Sequence, residues 1–101
     1  MQAQLINLDG KSTIRLQGRF DFNSHREFRD VVEQALKEAA TKEVQVDLAG
    51  VDYLDSSALG MLLMLRDKAR GANKAVSLAN CHGAVKQVLD IANFAKLFSI
   101  V

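Results

Sequence analysis

Proline and tryptophan are absent from the sequence, cysteine occurs once, and no long apolar run is present. The single thiol, Cys81, cannot form an internal disulfide, which points to the cytoplasm. No window of about 18 apolar residues exists, so we expect neither a membrane span nor direct membrane insertion. The N-terminal residues Met1 to Leu5 lack the basic and apolar regions of a signal peptide.

An excess of charge of one sign is also absent. The 13 Lys and Arg residues nearly balance the 12 Asp and Glu residues, for a formal net charge of +1. The basic residues are scattered rather than striped, so no nucleic-acid surface is predicted. There is no glycine-rich phosphate loop of the Walker type. The composition therefore favours neither a nucleic-acid-binding protein nor a nucleotide-binding enzyme.

Two clusters could suggest a catalytic or metal site, and neither satisfies the geometry required. Cys81 and His82 are adjacent, and neighbours in sequence rarely face each other, so they do not make a nucleophile and base. Four aspartates could suggest a hard-metal site, but they are spread over different elements: Asp21, Asp47, Asp52 and Asp55. We expect no metal, no cofactor and no catalytic residue.

The chain is long enough for one domain, which we take as residues 1–101. Apolar residues make up 49% of it and charged residues 25%, an ordinary globular composition. Strands are predicted at 5–11, 13–17, 44–48 and 75–79, with a last short apolar segment at 94–101. Helices are predicted from the capping-box pair Ser24 and Glu27 to about Ala40, from 56 to about 70, and at 83–92.

Three of the strands alternate apolar and polar residues, as Val44, Val46 and Leu48 do around Gln45 and Asp47. Parallel strands covered on both faces usually read as continuous apolar runs, whereas alternation indicates one wet face. The predicted fold class is therefore α/β, in two layers. A mixed sheet of four or five strands has its helices mainly on one face.

The most informative stretch is a strand, a short loop and a helix whose first residues are Asp55, Ser56 and Ser57. The first N–H groups of a helix lack intrahelical acceptors and carry partial positive charge, so an anion is stabilised there. A phosphate on Ser56 would gain those donors. Spacing alone leaves a second interpretation open, because serine is also a preferred helix cap.

The segment 51–60, Val-Asp-Tyr-Leu-Asp-Ser-Ser-Ala-Leu-Gly, resembles the motif of the STAS family, and most closely that of the small bacterial anti-sigma factor antagonists. Ala58 stands where that family usually has glycine. The resemblance extends upstream through Leu16, Gly18, Phe20 and Asp21, and downstream through the segment 85–90. It implies a STAS-like fold and phosphorylation of Ser56 by a partner kinase, with Asp21, Asp55 and Ser57 beside the site.

The resemblance also implies a function. The unphosphorylated form would bind a serine-kinase anti-sigma factor, phosphorylation would end that interaction, and a metal-dependent serine phosphatase would restore it. The protein would then be a transcription regulator in a partner-switching cascade and not an enzyme. The alternative is a STAS subunit of a membrane ABC complex for lipid transport, which binds its ATPase subunit and needs no phosphorylation.

Helical periodicity indicates where such a partner would dock. With Ala58 at the centre of the buried stripe, an outward line carries Ser56, Gly60, Leu63 and Asp67. Leu63 and its neighbour Met64 are more apolar than a solvated face requires, which is typical of a docking surface. We therefore predict partner contacts at Gly60, Leu63, Met64 and Asp67. Asp55 is expected to favour the helix start by its charge or to position the Ser56 hydroxyl.

Overall fold

The structure, a computed structural model, describes residues 1–101 and contains one five-stranded sheet with three α-helices. The strands are β1 (Gln2–Leu8), β2 (Lys11–Phe20), β3 (Glu43–Leu54), β4 (Ala75–Ala79) and β5 (Ser99–Ile100), and the α-helices are α1 (His25–Lys37), α2 (Ser56–Gly71) and α3 (Gly83–Ile91). Two short 3-10 turns lie at Phe22–Ser24 and Phe94–Lys96. None of the helices combines the length and hydropathy needed to cross a membrane.

The strands are arranged in chain order, from β1 at one edge to β5 at the other. β1 pairs antiparallel with β2 through the tight turn at Asp9 and Gly10, and every later pair is parallel. Each parallel connection passes through a helix and advances in the same direction. Right-handed crossovers then place all three helices on one face of the sheet. The predicted two-layer mixed sheet is confirmed.

The core lies between this face and the helices. Its 21 buried residues include Ile14 and Leu16 of β2 and Val44 and Val46 of β3, which are the apolar members of the alternating strands. Their polar neighbours form the uncovered face. There Asp47 accepts hydrogen bonds from Asn80 and from the Ala49 N–H.

The pKa of Asp47 lies below its ordinary value. Burial alone would raise this pKa, but the hydrogen bonds from Asn80 and Ala49, together with the Arg15 guanidinium 3.7 Å away, outweigh it. The Asp47 carboxylate is therefore held ionised in the folded protein.

The helix start predicted at Ser24 is confirmed, because Ser24 is the N-cap of α1, but the capping-box hydrogen bonds predicted for Ser24 and Glu27 do not form. Asp21 instead caps a 3-10 turn: its carboxylate accepts the Asn23 N–H at 3.0 Å, and the Ser24 hydroxyl accepts the Asp21 N–H at 3.2 Å. The α-helix begins only at His25. The sequence pattern therefore identified the N-cap of the α-helix, whereas the observed capping box belongs to the 3-10 turn that precedes it.

The end of α1 also differs, because the helix stops at Lys37 rather than near Ala40. The buried ammonium of Lys74 donates to the Ala35 carbonyl at 3.3 Å, to the Glu38 carbonyl and to the Thr41 hydroxyl at 3.0 Å. The last carbonyls of a helix lack intrahelical donors and carry partial negative charge. A lysine from the loop after α2 therefore completes the C-terminus of α1.

Gly50 lies where the pairing of β2 with β3 shifts register. A Cβ atom at Gly50 would approach the Leu16 carbonyl oxygen and the Gln17 Cγ to 2.9 Å each. Only glycine permits this close approach of the two strands. The irregularity changes which residues beyond it face the core.

The C-terminal segment forms less strand than predicted. Asn93 adopts a left-handed conformation, and a 3-10 turn follows it. Phe94 and Phe98 stack with their ring centroids 5.2 Å apart and are buried. Only Ser99–Ile100 pairs with β4, because anchoring two aromatic rings in the core requires a turn rather than an extended run.

Candidate functional site

The candidate site forms where β2 and β3 end side by side. Phe20 is opposite Leu54 in the parallel ladder, and the Asp55 N–H donates to the Phe20 carbonyl at 3.3 Å. The chain leaves the sheet after each of these residues, so Asp21 and Asp55 emerge from neighbouring strands. The turn Phe22–Ser24 contacts α2. Two segments that are over thirty residues apart in sequence thus meet at the start of α2.

Asp55 is the N-cap of α2. Its backbone is extended, with φ −110° and ψ −177°, and its carboxylate accepts the Ala58 N–H at 3.0 Å. The interpretation of Ser56 and Ser57 as caps is therefore wrong, because the preceding aspartate has that role. Asp55 thus lies at the helix start, where a negative charge is favourable.

Ser56 is the first residue of α2 and is exposed, Ser57 is half-buried and Ala58 is buried. A helix begins with N–H groups that have no intrahelical acceptor, and those of Ser56 and Ser57 are the first two. A phosphate on Ser56 would lie beside these donors. The Ser56 hydroxyl is thus accessible to another protein, in a position that suits a phosphoryl group.

Two exposed aromatic side chains lie on the segments that form this site, and sequence reasoning missed both. Phe22 is 64% exposed and Tyr53 is 39% exposed. The Arg19 guanidinium lies 4.0 Å from the centroid of the Tyr53 ring and 3.7 Å from the Asp21 carboxylate. Strand periodicity gives no signal for them, since Phe22 follows the point where the chain leaves the sheet and Tyr53 follows the irregularity at Gly50.

The predicted docking line on α2 is less exposed than expected. Gly60 and Asp67 are exposed, but Leu63 and Met64 are half-buried, and Leu63 packs against the core. No leucine or methionine side chain of α2 is among the large exposed apolar side chains of the protein. The large exposed apolar side chains on the segments that form the site are therefore Phe22 and Tyr53.

The structure assembles no group of three or more His, Cys, Asp or Glu side chains that could hold a metal ion. The Cys81 thiol is half-buried, and burial, followed by the nearby Asp90 carboxylate, raises its pKa. The His82 Nε2 atom lies 3.0 Å from the Ala49 carbonyl oxygen, to which it donates. What the site at Ser56 presents to solvent is an exposed hydroxyl group.

Comparison with known proteins gives consistent matches over nearly the whole chain. A family model described as Mlab, STAS domain, matches residues 5–101. A STAS-domain containing protein of Pseudomonas aeruginosa strain UCBPP-PA14 is 50% identical over 97 residues, which cover 95% of this chain and 94% of that relative. The match includes the whole candidate site.

Solved structures share the fold at low sequence identity. An anti-sigma factor antagonist from Mycobacterium paratuberculosis superposes with a TM-score of 0.86 at 16% identity, covering 98% of this chain and 83% of that one. The phosphorylated form of the Bacillus cell fate determinant SpoIIAA gives a TM-score of 0.73 at 18% identity, covering 99% and 91%. At such identities the likeness establishes the fold alone.

Proposed function

The chain belongs to the STAS family, and from this premise we propose that it is an anti-sigma factor antagonist of a partner-switching cascade. The unphosphorylated form binds a serine-kinase anti-sigma factor, which phosphorylates Ser56 with ATP and is thereby released. A metal-dependent serine phosphatase restores the binding form. Proteins with this domain generally act by binding, and in this proposal the chain is ligand and substrate rather than enzyme.

The observation that carries the proposal is that Ser56 is exposed at the first position of α2 while Asp55 caps the helix. A capping serine would use its hydroxyl for the fold, and modifying it would weaken the helix. Ser56 has no such role. Phosphorylation can therefore change the surface without unfolding the domain.

The physical basis of release is the change in charge at a buried contact. A phosphoserine carries about 1.5 to 2 negative charges at neutral pH. Removing that charge from water against a surface that fits a neutral serine costs several kcal/mol. We expect affinity to fall by about tenfold to thousandfold.

The contact surface in this proposal surrounds Ser56. It includes the residues predicted from helical periodicity, with Asp21 and Ser57 near the serine and Gly60, Leu63, Met64 and Asp67 along α2. We add Phe22 and Tyr53, because an exposed aromatic ring next to a recognised group is a frequent binding anchor. Because Leu63 and Met64 are half-buried, only part of each side chain can contact a partner.

The test of the switch uses affinity capture from cells of the source organism with tagged wild type, Ser56→Ala and Ser56→Asp. A kinase of the anti-sigma type should be retained by wild type and Ser56→Ala, and lost with Ser56→Asp. The purified kinase and ATP should then phosphorylate wild type at Ser56. The control Ser57→Ala alters the adjacent hydroxyl and should be phosphorylated like wild type.

Retention of one ATPase or membrane complex by all three proteins would contradict the switch. That outcome would identify the alternative function, a constitutive subunit of a membrane ABC lipid-transport complex. Phosphorylation at Ser57 in place of Ser56 would contradict the assigned site but leave the cascade intact.

The aromatic part of the surface is tested by a matched pair of substitutions. Phe22→Ser should weaken binding of the kinase by at least about tenfold, since a buried aromatic anchor contributes 2 kcal/mol or more. Leu8→Ser is the control, because Leu8 is 66% exposed, much like Phe22, but ends β1 at the opposite end of the sheet from Phe20 and Leu54. Equal effects of the two changes would show that Phe22 is not a specific contact.

A further inference from the structure

The two edges of the sheet differ in how well they are protected against another strand. β5 pairs over two residues, whereas β1 pairs with β2 over seven residues without a register shift. A long edge strand usually carries charge, proline or a bulge that prevents further pairing. The β1 sequence, Gln-Ala-Gln-Leu-Ile-Asn-Leu, has none of these.

A groove of about 640 Å³ runs along this edge, and we call it the β1 groove. Its lining comes from Met1 and β1, from α1 and from the neighbouring strand β2, and it includes Leu5, Arg15, Glu27, Asp30 and Val31. Leu5 and Val31 supply apolar surface continuous with the core. The groove thus offers apolar contact beside unpaired backbone groups.

The charge of the β1 groove is acidic on the helix side. Glu27 and Asp30 are exposed and lie three residues apart on α1, so they share one face of the helix. The lining also carries two positive groups, the Arg15 guanidinium and the N-terminal ammonium of Met1. Neither forms an ion pair with Glu27 or Asp30. Arg15 lies 3.7 Å from Asp47 on the uncovered face of the sheet. The two carboxylates are therefore not neutralised by this arginine.

These features fit one kind of occupant. In a strand added to β1, alternate side chains would point to the helix side. A lysine or arginine there would lay its aliphatic stem over Leu5 and Val31 and bring its charge to Glu27 and Asp30. A second copy of β1 has no basic residue to place there. The charge complementarity therefore favours a different, basic chain.

We propose that the β1 groove binds an extended segment of a partner protein that adds a strand to β1 and carries lysine or arginine at alternate positions. Backbone hydrogen bonds along β1 supply the pairing, and the carboxylates of α1 select the basic residues. The groove shares no residue with the site at Ser56. Binding there is accordingly independent of the proposed phosphorylation.

The test uses the full chain labelled with ¹⁵N and a blocked hexapeptide that alternates threonine and lysine. Addition of the peptide should shift the backbone amides of β1 saturably, whereas a hexapeptide of threonine and glutamate should not. The double variant Glu27→Gln/Asp30→Asn should bind the basic peptide about fivefold more weakly, as expected for two exposed charge pairs. Glu33→Gln is the control, because Glu33 is exposed on α1 but does not line the groove.

Three outcomes would overturn the proposal. If the chemical shifts of the β1 amides stay unchanged at about 1 mM peptide, the groove binds the basic peptide too weakly to recognise a partner. Equal binding of both peptides, or equal loss in the control, would show that Glu27 and Asp30 do not select charge. Shifts of β1 with protein concentration alone would show that the edge is occupied by a second copy.

Discussion

Replacing Asp55 with alanine should separate the helix cap from the modified serine. The substitution removes the 3.0 Å hydrogen bond from the Ala58 N–H and the negative charge at the start of α2. The cap contributes about 1 kcal/mol and the charge about 0.5 kcal/mol to the free energy of unfolding. The expected loss is about 1.5 kcal/mol, or about 6 to 12 °C in Tm for a domain of this size.

Two companion variants divide this loss. Asp55→Asn keeps an oxygen that can accept the Ala58 N–H and removes only the charge, so it should lose about 0.5 kcal/mol. Ser56→Ala should change the free energy of unfolding by less than about 0.5 kcal/mol, because Ser56 does not cap the helix. Urea denaturation followed by circular dichroism measures all three.

The same variants address function. Since the Asp55 carboxylate faces the Ala58 N–H, we expect Asp55→Asn to be phosphorylated at Ser56 at nearly the wild-type rate. A loss of stability in Ser56→Ala as large as that in Asp55→Ala would refute the assignment of the cap. A large fall in the phosphorylation rate of folded Asp55→Asn would show that the carboxylate also positions the hydroxyl.

Three further predictions concern the framework that holds the site. Lys74→Met should lower the free energy of unfolding by about 2 to 4 kcal/mol, because three acceptors lose a charged donor, while exposed Lys68→Met should have little effect in the same denaturation assay. Gly50→Ala should lower the free energy of unfolding by about 1 to 3 kcal/mol, because the new Cβ overlaps the neighbouring strand. Gly60→Ala should instead raise it by about 0.5 to 1 kcal/mol, because a Cβ there meets nothing within 4 Å and alanine favours the helix. Thermal unfolding of the two variants measures both changes. Because the pKa of Asp47 is lowered in the folded protein, its ionised carboxylate stabilises the fold at any pH above the ordinary pKa of aspartate. This stabilisation is lost as the pH falls through the lowered pKa. Asp47→Asn should therefore flatten the dependence of the free energy of unfolding on pH below about pH 4, as measured by denaturation at each pH.

How far the sequence predicted the structure depended on whether a signal was local. Alternation in Val44, Val46 and Leu48 identified a strand with one wet face, and the apolar spacing of α2 identified its buried stripe, because both patterns arise from the geometry of a single element. The end of α1 could not be predicted this way. It depends on Lys74, which is 36 residues from Glu38 along the chain.

The site shows the same division. The position of Ser56 at a helix start follows from the local pattern, and that pattern also carried the resemblance to the STAS family. The exposure of Phe22 and Tyr53 does not follow from it, because both residues lie beyond points where strand periodicity is interrupted. The prediction overestimated the exposure of Leu63 and Met64, because periodicity gives the direction of a side chain but not the neighbours that cover it.

By itself, the sequence determined the α/β class, the order of the helices and strands, and the serine at the start of α2, because these depend on residues that are close together along the chain. The structure decided that Asp55 rather than a serine caps that helix, that two exposed aromatic rings lie on the adjoining segments, and that β1 is an open edge next to two carboxylates. Each of these depends on contacts between separate segments or on which groups a backbone bond has already satisfied. Packing between segments, and not the local sequence pattern, determines these features.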